Sequence, residues 1–179
     1  MERTPSLPCL APEVRRNEPV QKTAQGILFS PSDLIRFYQS PFASWMDRWH
    51  FEGKCTEKPD EDSEEQKLLA QTGDRHEKIT LEELKKKGSV REIEKNRGFA
   101  VAQEATLKAL KEKAPVTFQA ALSDGTFAGY ADFLFLRDQY EVWDTKLAKS
   151  PKPYYVIQLC CYTQILAQAL GEKKSGGLS

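Results

Sequence analysis

Asp132, Asp144 and Lys146 are the residues of this chain whose types and spacing point most directly to chemistry. Phe127 to Leu136 is rich in aromatic and apolar residues, Arg137-Asp138-Gln139 is polar, and Tyr140 to Lys146 is β-prone again. That pattern reads as a β-hairpin. With the turn centred on Asp138, Asp132 falls directly across from Asp144. Residues two apart in a strand share a face, which brings Lys146 to the same side. Opposed carboxylates repel and weaken a hairpin. The arrangement makes sense when a divalent cation sits between them. A carboxylate pair with an adjacent lysine is what metal-assisted phosphodiester cleavage needs.

Other residues have a structural and a chemical reading side by side. His76 shares a helix face with Leu69, Thr72, Ile79 and Glu83. It is either a hydrogen-bonded core histidine or a metal ligand. Gln158 and Tyr162 lie four apart and so share a face of the last helix, for packing or for a site. Lys146, Lys149 and Lys152 form either a solvated loop or a contact with a phosphate backbone beside the carboxylates. The cysteines, Cys9, Cys55, Cys160 and Cys161, contain no C-x-x-C pair, so the strong zinc signature is absent. Adjacent Cys160 and Cys161 fall in an apolar helical pattern and read as small core-filling residues.

The elements that must position these residues follow from local signals. Residues 1–25 carry Pro5, Pro8, Pro12 and Pro19 with few apolar residues, and read as a disordered tail. A folded domain over 26–171 follows. Ser30 is a good N-cap, Pro31 suits the first helical position and Asp33 the first turn. The helix reaches Ser40, where Pro41 breaks or kinks it, and Phe42, Trp45, Met46 and Trp49 continue with helical spacing. Glu57 to Glu65 reads as an acidic surface loop. A long helix is expected over Ser63 to Lys87 with Gly88 as its cap, and another over Phe99 to Lys113 before Pro115. Strands are expected over Val116–Leu122, Thr126–Leu136 and Tyr140–Lys146, and a last helix over Pro153–Leu170. Residues 172–179 read as a flexible tail and a candidate truncation point. The order gives a mixed α/β layer.

Bulk properties exclude several classes. At 179 residues the chain can bury one real core. Lys+Arg 26 balances Asp+Glu 26, so any nucleic-acid binding rests on a local patch. No apolar run approaches the roughly 20 residues of a membrane span, and the N-terminus lacks the apolar core of a secretory signal. A cytoplasmic location and no membrane partner are the expectations.

The order of the motifs adds a resemblance. A G-x-x-x-H-like element has its glycine, Gly73, three residues before His76. It is followed by G-x-x-D at Gly129 to Asp132, D-x-K at Asp144 to Lys146, and Q-x-x-x-Y at Gln158 to Tyr162. Together these resemble the RecB-like branch of the PD-(D/E)XK nuclease superfamily. Ser30-Pro31 through Ser40-Pro41-Phe42 also looks like the N-terminal helix of that branch. The resemblance implies a restriction-endonuclease-like α/β core, a small mixed β-sheet flanked by helices. It implies a Mg²⁺- or Mn²⁺-dependent deoxyribonuclease, such as an exonuclease in repair or recombination or part of a larger helicase–nuclease. Carried over, His76, Asp132, Asp144 and the Thr145 carbonyl bind the metal, Lys146 organises the attacking water, and Gln158 and Tyr162 belong to the site.

DNA is the implied partner, with a helicase or a further C-terminal domain as additional ones; oligomeric state is not implied. Several members carry a four-cysteine iron–sulfur cluster. Here Ser40 stands at the position resembling the first cysteine, and no cysteine follows the last helix, so no cluster is expected. The alternative is a non-catalytic DNA-binding or docking module that retains the nuclease fold.

Overall fold

Serine residues start three of the helices. The Asp33 N–H donates to Ser30 Oγ at 3.2 Å, and the Ser30 N–H donates in return to the Asp33 carboxylate at 2.6 Å. With Pro31 in the first turn, this reciprocal cap fixes the start of α1, Pro31–Gln39. Ser40 caps α2, Pro41–Phe51, so Pro41 opens a new helix rather than kinking an old one. Ser63 and Gln66 form a second reciprocal cap for α3, Glu64–Lys87, which Gly88 ends. The remaining helices are α4, Phe99–Lys111, and α5, Pro153–Ala169. A computed structural model describes residues 21–23, 26–54, 63–146, 148 and 150–171.

The described residues form a mixed α/β architecture with five helices. A four-stranded sheet has the order β3-β4-β5-β6, with β3 Val90–Glu92, β4 Val116–Ser123, β5 Ala128–Leu136 and β6 Tyr140–Trp143. The meander β4-β5-β6 is antiparallel, as its short connections require. The short β3 adds parallel to β4, a strand the sequence reading lacks. A separate hairpin pairs β1, Gln21–Thr23, with β2, Gly26–Leu28. Residues 21–23 therefore form a strand where a tail was expected. The rest of that tail, residues 1–20 and 24–25, lies outside the described residues, as do 55–62 in the acidic stretch, Cys9, Cys55 and 172–179.

The core joins the sheet to α4 and α5. Leu110, Ala120, Leu122, Ala131, Leu134, Tyr162, Ile165 and Leu166 form one buried cluster. Full burial of each large side chain contributes about 1.5–3 kcal/mol. Cys161 packs against this cluster, and burial pushes its thiol up to about 11, while Cys160 is exposed. Ile35 of α1 packs on Tyr154 and Tyr155 of α5. Phe29, just before α1, bridges to Phe127: its N–H donates to the Thr126 carbonyl at 2.9 Å, and the Ala128 N–H donates to its carbonyl at 2.7 Å. The start of α1 is thereby docked against the start of β5.

Two helices leave apolar side chains outside. α2 has no buried residue, and Phe42, Trp45 and Trp49 are exposed along it, with ring centroids 6.0 and 5.1 Å apart. On α3 the face of Leu69, Thr72, Ile79 and Glu83 is exposed. The inward face lies about one residue further round and carries Gly73, Glu77, Leu81 and Leu84. No helix among the described residues is long and apolar enough to cross a membrane.

Candidate functional site

The β5–β6 register places the two acids together. Phe133 pairs with Trp143 and Leu136 with Tyr140, so one further step sets Asp132 opposite Asp144, where β6 has just ended. The Thr145 N–H and Oγ1 both donate to Asp132 Oδ2, at 3.1 and 3.2 Å. These two donors turn the chain inward after Trp143 and stand in for the lost ladder. Lys146 Nζ then reaches Asp144 Oδ2 at 2.7 Å and lies 5.6 Å from the Tyr155 ring centroid. Lys146 thus sits between an acid of the hairpin and an aromatic of α5.

Asp144 is the electrostatic centre of this group. Its side chain is 7% exposed. Burial first, then the hydrogen bond and charge of Asp132, push its carboxyl from 3.8 up to about 7, partly offset by Lys146. Near neutral pH the Asp144 carboxyl is therefore poised between its protonated and charged forms.

Gly129 and Tyr162 bring two of the sequence motifs into contact. A Cβ built on Gly129 would lie 2.6 Å from Tyr162 Oη and 3.2 Å from Pro31 Cδ. Glycine is required here by close approach. Tyr162 and the N-terminus of α1 both press on β5 three residues before Asp132. Gln158 is buried one turn before Tyr162 on α5. Lys152 lies 5.7 Å from the Tyr154 ring centroid, and Lys149 is outside the described residues.

Asp132, Asp144, Thr145 and Lys146 are thus brought together, and Tyr162 lies against Gly129, three residues before Asp132 on the same strand. His76 is not gathered with the two acids. It is half-buried on α3, and among the described residues no three His, Cys, Asp or Glu side chains group to hold a metal ion. Instead α3 turns the next residue inward: Glu77 is buried and accepts a hydrogen bond from Gln119 Nε2 of β4. The sequence reading passed over both. Glu77 had a signal, since it lies four before Leu81 and seven before Leu84; Gln119 had none.

The groups the Asp132–Asp144 pair itself offers are carboxyl oxygens, one on a carboxyl poised to lose a proton. That chemistry suits a hard divalent cation. No protein-family model matches the chain, and no curated protein or solved structure matches it either.

Proposed function

We propose that the chain is a Mg²⁺- or Mn²⁺-dependent deoxyribonuclease with a restriction-endonuclease-like core, of the RecB-like PD-(D/E)XK type that its motif order resembles. The observation that carries this reading is the part-buried, opposed pair Asp132–Asp144 with Lys146 seated on Asp144. A like-charged pair weakens the hairpin it sits in, so its presence is best explained by a ligand of opposite charge.

Asp132, Asp144 and the Thr145 carbonyl would hold the cation, which when bound supplies positive charge at the phosphate and lowers the pKa of a water. Asp144 would hold the cation as a carboxylate, its proton passing to solvent water. Lys146, on Asp144 at 2.7 Å, would orient the attacking water and steady a phosphate oxygen. Thr145 fixes the Asp132 carboxylate through two hydrogen bonds. Tyr162 holds β5 in place against Gly129. The zero net charge puts the work of gripping DNA on local cations such as Lys146 and Lys152. A helicase or a further domain would bring the substrate.

A second reading, a non-catalytic DNA-binding module, is favoured by one observation: Lys146 already neutralises Asp144 at 2.7 Å, so the pair is compensated without an ion. The deciding experiment is cleavage of end-labelled single- and double-stranded DNA in Mn²⁺, Mg²⁺ or EDTA, comparing the native chain with Lys146→Ala. Metal-dependent cleavage lost in the variant is the expected outcome. A folded, metal-binding chain that cuts no DNA would establish the second reading.

A further inference from the structure

Across the sheet from Asp132 lies a pair of residues that stability alone does not explain. Glu77 is 4% exposed, one of only two buried residues on the 24-residue α3. Burying a carboxylate is expensive unless it is hydrogen-bonded. Its donor is Nε2 of Gln119, from 42 residues further along the chain. Gln119 is itself 8% exposed and sits inside β4 with φ +55°. A residue with a side chain is strained in that left-handed backbone. Gln119 Oε1 is also buried and takes no hydrogen bond among the described residues, a second destabilising feature.

The register shows where these costs fall. Phe118 pairs with Phe133 and Ala120 with Ala131, so Gln119 stands directly opposite Asp132. The distortion is therefore at the one point of β4 that backs a site acid. Strained backbone and unsatisfied polar groups collect at functional sites, where geometry outranks stability.

We propose that Glu77 and Gln119 are positioning residues for Asp132. The Glu77 carboxylate anchors the Gln119 amide, the anchored amide holds β4 in its left-handed turn, and that turn sets where β5 presents the Asp132 carboxylate. α3 thus contributes to the site through Glu77, behind the acids, rather than by a ligand in front of them. The inference rests on the cation-binding reading above.

The test is Mn²⁺ binding by calorimetry to the full chain, with the fold checked by circular dichroism. Losing a supporting partner of a metal ligand typically costs 10–100-fold in affinity. Glu77→Leu and Gln119→Gly should each weaken Mn²⁺ at least about tenfold, and the double variant no further. Glu77→Gln retains an acceptor for the Gln119 amide and should stay within about twofold of the native affinity. If Glu77→Leu does not fold, Gln119→Gly decides, because glycine tolerates the positive φ, so the chain folds, but leaves the turn held by no side chain.

Native-like affinity in the Leu and Gly variants overturns the proposal and leaves the nuclease reading intact. A loss in Glu77→Gln as large as in Glu77→Leu overturns it too, since the charge itself would then be a ligand. A native chain that binds no Mn²⁺ removes the nuclease reading and this proposal together.

Discussion

Asp132→Asn should make the metal-free protein more stable at pH 8, although it removes a site acid. The Asp144 carboxyl is pushed from 3.8 to about 7. At about 1.36 kcal/mol per tenfold change, ionising it in the native state costs about 4 kcal/mol. Burial is the larger cause and survives the substitution, so the part belonging to Asp132 is about 1–2 kcal/mol. The folded carboxyl holds its proton more tightly than the unfolded one. Its stabilising contribution is complete below about pH 4 and is lost as pH rises through about 7. At pH 5 Asp144 still holds its proton and the pair repels little, so the substitution gains nothing there. At pH 8 Asp144 has lost its proton against the push of Asp132, and the asparagine removes that push while its side-chain oxygen still accepts from Thr145.

Urea unfolding in EDTA at the two pH values measures this through the midpoint at constant slope. The thermal midpoint should rise by about 2–4 °C per kcal/mol at pH 8. A loss of stability at pH 8, or the same change at both pH values, would refute the opposed-pair reasoning.

The other expectations concern the same neighbourhood. Lys146→Ala removes what holds the Asp144 carboxyl down, so its midpoint should move further above 7 in carboxyl-carbon NMR titration; an unmoved midpoint would show that the 2.7 Å ion pair is not made in solution. Gly129→Ala should cost about 1–3 kcal/mol by overpacking, and part of that should return when Tyr162→Phe removes the oxygen the new methyl meets. An equal cost in both backgrounds, read from urea midpoints, would place the clash elsewhere. Because the cation must displace the Asp144 proton, Mn²⁺ affinity should rise up to about tenfold per pH unit between pH 5 and 7 and level off above. Calorimetry showing a flat profile would mean that Asp144 is not a ligand.

Local signals made much of this fold legible. Ser30 with Asp33, Ser63 with Gly88, and the polar Arg137-Asp138-Gln139 turn each announce a boundary through residues only a few positions apart. The opposition of Asp132 and Asp144 was readable for the same reason, since a short hairpin fixes its register from its turn. Three-residue strands carry too little periodicity to read, which hid β1, β2 and β3. β3 also pairs in parallel with a strand more than twenty residues later, a contact no local pattern encodes. On α3, the apolar spacing of Leu69 and Ile79 drew attention to His76, whereas the sheet covers the neighbouring face and takes Glu77. Gln119 was beyond reach: glutamine gives no sign of a positive φ, and its partner lies on a distant helix.

The placement of the tryptophans divides the intrinsic fluorescence of this protein by region. Trp45 and Trp49 stack on α2, outside the core, and Trp143 lies one residue before Asp144 with its ring 4.8 Å from that of Phe135. Replacing the α2 pair with phenylalanine leaves a single indole at the doorstep of the acids. Its emission then becomes a probe-free optical reporter of protonation and ion occupancy at Asp144, readable in a stopped-flow cell without attaching a dye.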